Sequence, residues 1–145
     1  MAKLSESIDV PLPPTVAWEH ASDLSRFTEW LTIHRVWRSV LPDDIEKGTV
    51  VESIVEVKGM ANRITWTVVR YNPPEGMTLD GAGVGGVKVK LIAKISPTAQ
   101  GSTVGIDLHL GGPALFGPIG MVVAAALRSD INASLRNFVS VFAGR

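Results

Sequence analysis

The chain has 145 residues, with 14 basic and 14 acidic side chains and a formal net charge of zero. That length suits one domain able to bury roughly two thirds of its unfolded surface without staples. The absence of any cluster of Lys and Arg argues against a nucleic-acid partner, and the absence of cysteine excludes disulfides and thiolate chemistry.

Leu4 to Val10 alternates weakly and is predicted as a strand. Pro11, Pro13 and Pro14 then punctuate the chain, as suits the first turn of a helix, where a missing N–H costs nothing. Thr15 to Ala21 follows as a short helix. Asp23 or Ser25 caps a second one running to Leu31. The period then changes to two. Strands are expected over Arg35–Leu41, Thr49–Lys58, Asn62–Tyr71, Met77–Ala82, Val87–Ile95 and Thr103–Leu110, separated by turn signals such as KGMAN, NPPEG and PTAQG. Val87, Val89, Leu91, Ala93 and Ile95 alternate with Lys88, Lys90 and Lys94, so one face is apolar and the other wet, as in an antiparallel sheet covered on one side. From Pro118 to Phe142 the apolar residues Ala124, Leu127, Ile131, Leu135, Phe138 and Phe142 recur at spacings of three and four. Only this last helix is long enough to cover the sheet.

Residues 81–86, GAGVGG, match the Gly-x-Gly-x-x-Gly pattern of dinucleotide sites. That pattern works where a strand meets the N-terminus of a helix. Here an alternating segment, VKVKLIAKI, follows, so the glycines are expected to make a hairpin turn and local bends.

Three stretches, SIDVPLPPTVAWEHASDLSRFTEWL, ITWTVVRYNPPEGMTLDGAGVGG and GGPALFGPIG, occur in that order along nearly the whole chain. In this order they resemble the START-like, or SRPBCC, helix-grip superfamily, and in particular its polyketide cyclase/dehydrase-like branch. The resemblance implies an α+β fold: a seven-stranded curved antiparallel sheet, two short helices and a long C-terminal helix gripped by the sheet. It also implies an apolar cavity for a lipid, a polyketide or an aromatic compound. More closely, the sequence is similar to small actinobacterial members described as the toxin half of a type II toxin–antitoxin pair, which implies a small antitoxin partner.

If the resemblance holds, Trp66, Leu79, Val89, Leu91, Ile106, Leu108 and Leu110 line a ligand cavity from the sheet. Met121, Ala124, Ala125 and Leu127 line it from the helix, with Met60 and Phe116 near the mouth. An alternative reading of the small residues is an ordinary solid core. Candidates for acid–base work are Arg38, Asp107 and His109. Asp107 and His109 share a strand face, where a carboxylate can orient an imidazole, but Ile106, Leu108 and Leu110 have the stronger claim on the inner face. HRVWRSV leaves the facing open: if the valines point inward so does Arg38, and if Trp37 does, Arg38 is on the surface. Arg70 poses the same question after Ile64, Trp66 and Val68, while Glu52 and Glu56 read as solvated. His20 and His34 have no spaced ligand set, so neither a metal nor a cofactor is expected. No Gly-x-Ser-x-Gly elbow suggests a covalent hydrolase. MAKLSESIDV lacks a signal-peptide core, and the run GMVVAAAL is too short to span a bilayer. The expectation is therefore a soluble cytoplasmic protein without stable membrane insertion that binds a small hydrophobic ligand. The alternatives are a toxin component or a metal-free cyclase/dehydratase.

Overall fold

Each strand from the second onward pairs with its sequence neighbour, because antiparallel strands can be joined directly and need no crossover. The structure, a computed structural model, describes residues 2–115 and 117–144. Its strands are β1 (Ala2–Val10), β2 (His34–Trp37), β3 (Val50–Val57), β4 (Met60–Asn72), β5 (Gly76–Gly83), β6 (Lys88–Thr98) and β7 (Gly101–Gly111). They form one antiparallel sheet in the order β1-β7-β6-β5-β4-β3-β2. β1 joins the free edge of β7, from Ala2 opposite Leu110 to Val10 opposite Ser102. The chain must then cross to the far edge. It does so through helix α1 (Pro14–Ala21), a 3-10 turn at Leu24–Arg26 and the one-turn helix α2 (Phe27–Trp30). Pro14 opens α1 and the Asp23 carboxylate caps the 3-10 turn, accepting from the Ser25 N–H at 3.1 Å. Helix α3 (Pro118–Phe142) packs on β1, β7 and α2.

The inner face of the sheet follows the alternation. Val104, Ile106, Leu108 and Leu110 are buried, and they meet Leu127, Ile131, Leu135 and Phe138 of α3 within one core. Ser134 is also fully buried. Its hydroxyl accepts from the Thr32 N–H at 2.9 Å and donates to the Asp130 carbonyl at 2.8 Å. This pins the helix to the segment between α2 and β2 while leaving neither group unpaired.

Two bulges break the period of two, and both decide which side chains face inward. In β2 the register steps from His34 opposite Val55 to Val36 opposite Ile54, which inserts Arg35 as an extra residue. His34 and Trp37 therefore both face the sheet's inner side, and Val36 and Arg38 are exposed. The strand ends at Trp37 rather than at Leu41. Beyond it the Arg38 N–H donates to the Glu52 carbonyl at 2.6 Å, and the Glu52 N–H donates to Ser39 Oγ at 2.9 Å. In β4 the step from Val68 opposite Leu79 to Arg70 opposite Thr78 inserts Val69. Arg70 is turned out, and Tyr71 comes inward to Trp18 with ring centroids 5.8 Å apart.

The glycine run is the β5–β6 hairpin. Gly85 and Gly86 take φ of +80° and +79° in the turn, and Gly81 lies directly opposite Trp66 on β4. No helix follows, so the backbone has no place to cradle a pyrophosphate.

Candidate ligand cavity

The inward residues of β3 to β7 do not reach α3 everywhere, and two adjoining hollows remain. The inner one, of about 50 Å³, lies under α1 and α2. Phe27, Trp30, Leu31, His34, Trp37, Ser53, Met77, Leu79, Ala93, Val104 and Ile106 are among its walls. The outer one, of about 330 Å³, is bounded by Ile64, Val89, Leu108 and Leu110 from the sheet and by Ile119, Val123 and Leu127 from α3. Ile33, Val55, Trp66 and Leu91 belong to both walls. Met60, Val84 and Ile119 line the outer hollow and are largely exposed, so it reaches the surface between the β3–β4 turn, the β5–β6 turn and the start of α3.

Among the residues expected to line a cavity, Trp66, Leu79, Val89, Leu91, Ile106, Leu108, Leu110 and Leu127 are on these walls, and Met60 is at the mouth. Three helical residues are not. Met121 is 72% exposed, Ala125 is exposed, and Ala124 packs on the core away from both hollows. The helix presents Ile119, Val123 and Leu127 instead, a face rotated from the small-residue run AAA. Phe116 lies outside the described residues.

The acid–base candidates lie elsewhere. Arg38 is exposed beyond the end of β2. Asp107 and His109 sit on the outer face of β7, alternating with Ile106, Leu108 and Leu110. Asp107 accepts from Ser5 Oγ at 2.6 Å and pairs with Lys94 Nζ at 2.8 Å. Partial burial alone would raise its carboxyl, but hydrogen bonds from Lys94 and Ser5 and the charges of Lys94 and His109 outweigh that and hold it below the ordinary value. It is an ion-paired carboxylate on the outside of the barrel-like curve, remote from the apolar space. Glu52 and Glu56 likewise face out, pairing with Arg63 and Arg35. Among the described residues, no group of three or more His, Asp or Glu side chains stands close enough to hold a metal ion.

Of the polar side chains around the inner hollow, Trp66 is an expected wall residue, whereas Trp30, His34 and Ser53 are not expected there from the sequence. His34 is 6% exposed and its ring stacks obliquely on Trp37 at 4.6 Å, with Phe27 edge-on at 6.0 Å. The indole N–H of Trp66 donates to Ser53 Oγ at 3.0 Å, and that of Trp37 to the Leu24 carbonyl at 2.7 Å. Trp30 Nε1 and His34 Nε2 are buried and have no hydrogen-bond partner among the described residues. The bulge at Arg35 brings His34 inward, and no one-dimensional periodicity announces it.

Burial lowers the His34 pKa from its ordinary value of 6.5, because the cation loses hydration there and no carboxylate lines the hollow among the described residues. The unfolded chain therefore takes up a proton at a higher pH than the folded one. The His34 contribution to stability is therefore fully present above pH 6.5 and falls as the pH drops below it, by up to about 1.4 kcal/mol per pH unit until the folded form is protonated. Urea midpoints at pH 7.5 and 5.5 are expected to differ more for the natural chain than for His34→Phe. An equal loss in both would assign the acid sensitivity to other groups.

A curved antiparallel sheet wrapped on a C-terminal helix, with an apolar hollow between, defines the helix-grip class. A START superfamily protein from Mycobacterium smegmatis has the same fold, with a TM-score of 0.78 at 15% identity over 98% of this chain and 97% of that one. Residues 1–143 match the family described as polyketide cyclase / dehydrase and lipid transport, and the chain belongs to that family. Two proteins of Mycobacterium tuberculosis, toxin Rv0910 of strain H37Rv and toxin MT0934 of strain CDC 1551, are each 76% identical to it over 144 residues, covering 99% of this chain and 100% of theirs.

Proposed function

We propose that this chain binds a small hydrophobic molecule between its sheet and α3. The observation that carries the proposal is the outer hollow of about 330 Å³, apolar and reaching the surface beside Met60. Its size falls at the lower end for small-molecule sites, and such sites are mostly apolar with a few placed polar groups. The family's description, which includes lipid transport, supports the same reading. The inner hollow extends the space toward His34.

Delipidated protein titrated with fatty acids and polycyclic aromatics is expected to show saturable binding. Val89→Trp would place an indole in the outer hollow. It is expected to weaken binding at least about tenfold, some 1.4 kcal/mol, with the far-UV circular dichroism unchanged. No saturation across the panel, or full affinity in Val89→Trp, would refute the reading.

A second reading rests on the two 76% identical proteins named toxins. In it, this chain is the toxin member of a toxin–antitoxin pair, with a small antitoxin as partner and the cytoplasm as its compartment. Induced expression is expected to arrest growth, and co-expression of a small protein encoded beside it to restore growth. Uninhibited growth on expression would remove this reading. A cyclase or dehydratase activity loses the residues named for it, because Arg38, Asp107 and His109 lie off the hollow.

A further inference from the structure

The rim of the outer hollow is apolar on the tips of three separate segments. Met60 in the β3–β4 turn is 62% exposed, Val84 in the β5–β6 turn 69% and Ile119 at the start of α3 62%. Lys58 and Gly59, with φ of +53° and +76°, form the turn between the paired residues Val57 and Met60, so Met60 stands at the tip. The Asn62 side chain ties the two turns together. Its Oδ1 accepts from the Val84 N–H at 3.0 Å and its Nδ2 donates to the Val84 carbonyl at 3.4 Å. At about 100° per residue, Val122, Ala125 and Met121 carry the apolar surface from Ile119 round the outer side of α3, and all three are exposed. A surface helix ordinarily turns a polar face to water, yet residues 110–127 contain no charged or polar side chain. An exposed apolar patch of this kind marks a site of association.

The charge around the rim has one sign. Lys58 and Lys88 are exposed beside the two turns, and residues 57–62, 82–89 and 110–127 include no Asp or Glu. Glu56 and Asp80, the nearest acids on β3 and β5, are engaged by Arg35 at 3.1 Å and Lys90 at 3.5 Å. We propose that Met60, Val84, Ile119 and Val122, with Lys58 and Lys88, form a docking surface for an anionic lipid bilayer, which sets the mouth of the outer hollow against the headgroups. The apolar tips enter the headgroup boundary and the lysines meet lipid phosphates, the two contributions that hold an interfacial surface. A protein partner fits less well. Protein interfaces carry about one hydrogen bond per 100–200 Å², and this rim spends its Asn62 amide on Val84 and has no polar side chain on the α3 segment. A second copy paired about a two-fold axis would set the lysines of both against one another. Docking rests on the rim itself and needs no guest in the hollow.

The test is co-flotation of the full chain with vesicles of phosphatidylcholine alone and of phosphatidylcholine with one third phosphatidylglycerol. Binding is expected to be at least about tenfold stronger to the anionic vesicles and to weaken as salt is raised. Lys58→Gln and Lys88→Gln are each expected to weaken it about fivefold. Lys47→Gln is expected to leave it unchanged, since Lys47 lies at the other end of the sheet, next to Gly48, whose N–H donates to the Val68 carbonyl. Val122→Asp, at a position that lines neither hollow, is expected to weaken vesicle binding at least about tenfold and to leave guest binding as it was. In the natural chain, a nitroxide-labelled lipid in the anionic vesicles is expected to broaden the Met60 and Met121 methyl resonances before that of Met77, which is 3% exposed. This last measurement needs no variant to fold. Equal affinity for the two kinds of vesicle, undiminished binding by Val122→Asp, or equal broadening of Met77 overturns the proposal. So does the absence of vesicle binding, and loss of a dimer or of an acidic protein partner in Val122→Asp would then assign the rim to that partner. Guest binding without vesicle binding leaves the hollow a binding site, and vesicle binding without guest binding leaves the docking surface standing.

Discussion

Phe138→Ala is expected to destabilise the chain by about 3–5 kcal/mol, read as a fall in the urea midpoint with the slope retained. Phe138 has no exposed surface. Its ring meets the edge of Trp30 at 5.1 Å and 81°, and lies 4.9 Å from Phe142. Truncation removes the ring's transfer free energy, leaves a void between α2 and α3, and leaves Trp30 with Phe27 as its remaining edge-on partner among the described residues. Since a domain of this size is stable by only about 5–15 kcal/mol, the loss is a large part of the whole. Val141→Ala, on the outer side of the same helix and 37% exposed, is expected to change stability by no more than about 0.5 kcal/mol. Comparable losses from the two substitutions would show that α3 is not held by this face.

The second large effect is expected at Gly81→Ala, about 1–3 kcal/mol of destabilisation with a changed near-UV indole band. A Cβ at Gly81 would stand 2.8 Å from Cε3 and Cζ3 of Trp66 and 2.8 Å from Cγ2 of Ile64. These neighbours are held by the sheet register, so the ring itself must tilt into the space shared by both hollows. Replacing Trp66 by Leu in the same chain is expected to recover part of the loss, because the two positions are directly opposite and couple. Gly85→Ala supplies the contrast. Nothing lies within 4 Å of its added Cβ, but its φ of +80° strains an L residue, so it is expected to cost about 1–2 kcal/mol without touching the indole band. Two glycines in one short run thus serve different needs, contact at Gly81 and backbone handedness at Gly85. A match to the dinucleotide pattern expresses neither.

Where the chain keeps a strict period, its structure could be read in one dimension. The β7 alternation placed Ile106, Leu108 and Leu110 inward and Asp107 and His109 outward, because a strand offers only two faces and one had to be buried. The α3 stripe of Leu127, Ile131, Leu135 and Phe138 was legible for the same reason at a period of 3.6. The helical residues of the cavity wall were less so. Ala124, Ala125 and Met121 are apolar like Ile119 and Val123, and only the angle at which α3 crosses the sheet decides which of them face the hollow.

The sequence by itself determined the element order, the antiparallel sheet and the residues able to form its apolar face, since burial and backbone period are local properties summed along the chain. Tertiary structure alone decided three things: the bulge at Arg35, which turns His34 and Trp37 inward and Arg38 out; the size of the hollow; and the burial of Trp30 Nε1 and His34 Nε2 without a partner among the described residues. An extra residue in a strand reverses every facing beyond it, and a void or an unpaired buried atom is a relation among distant segments, so neither has a signature in the pattern of any one of them.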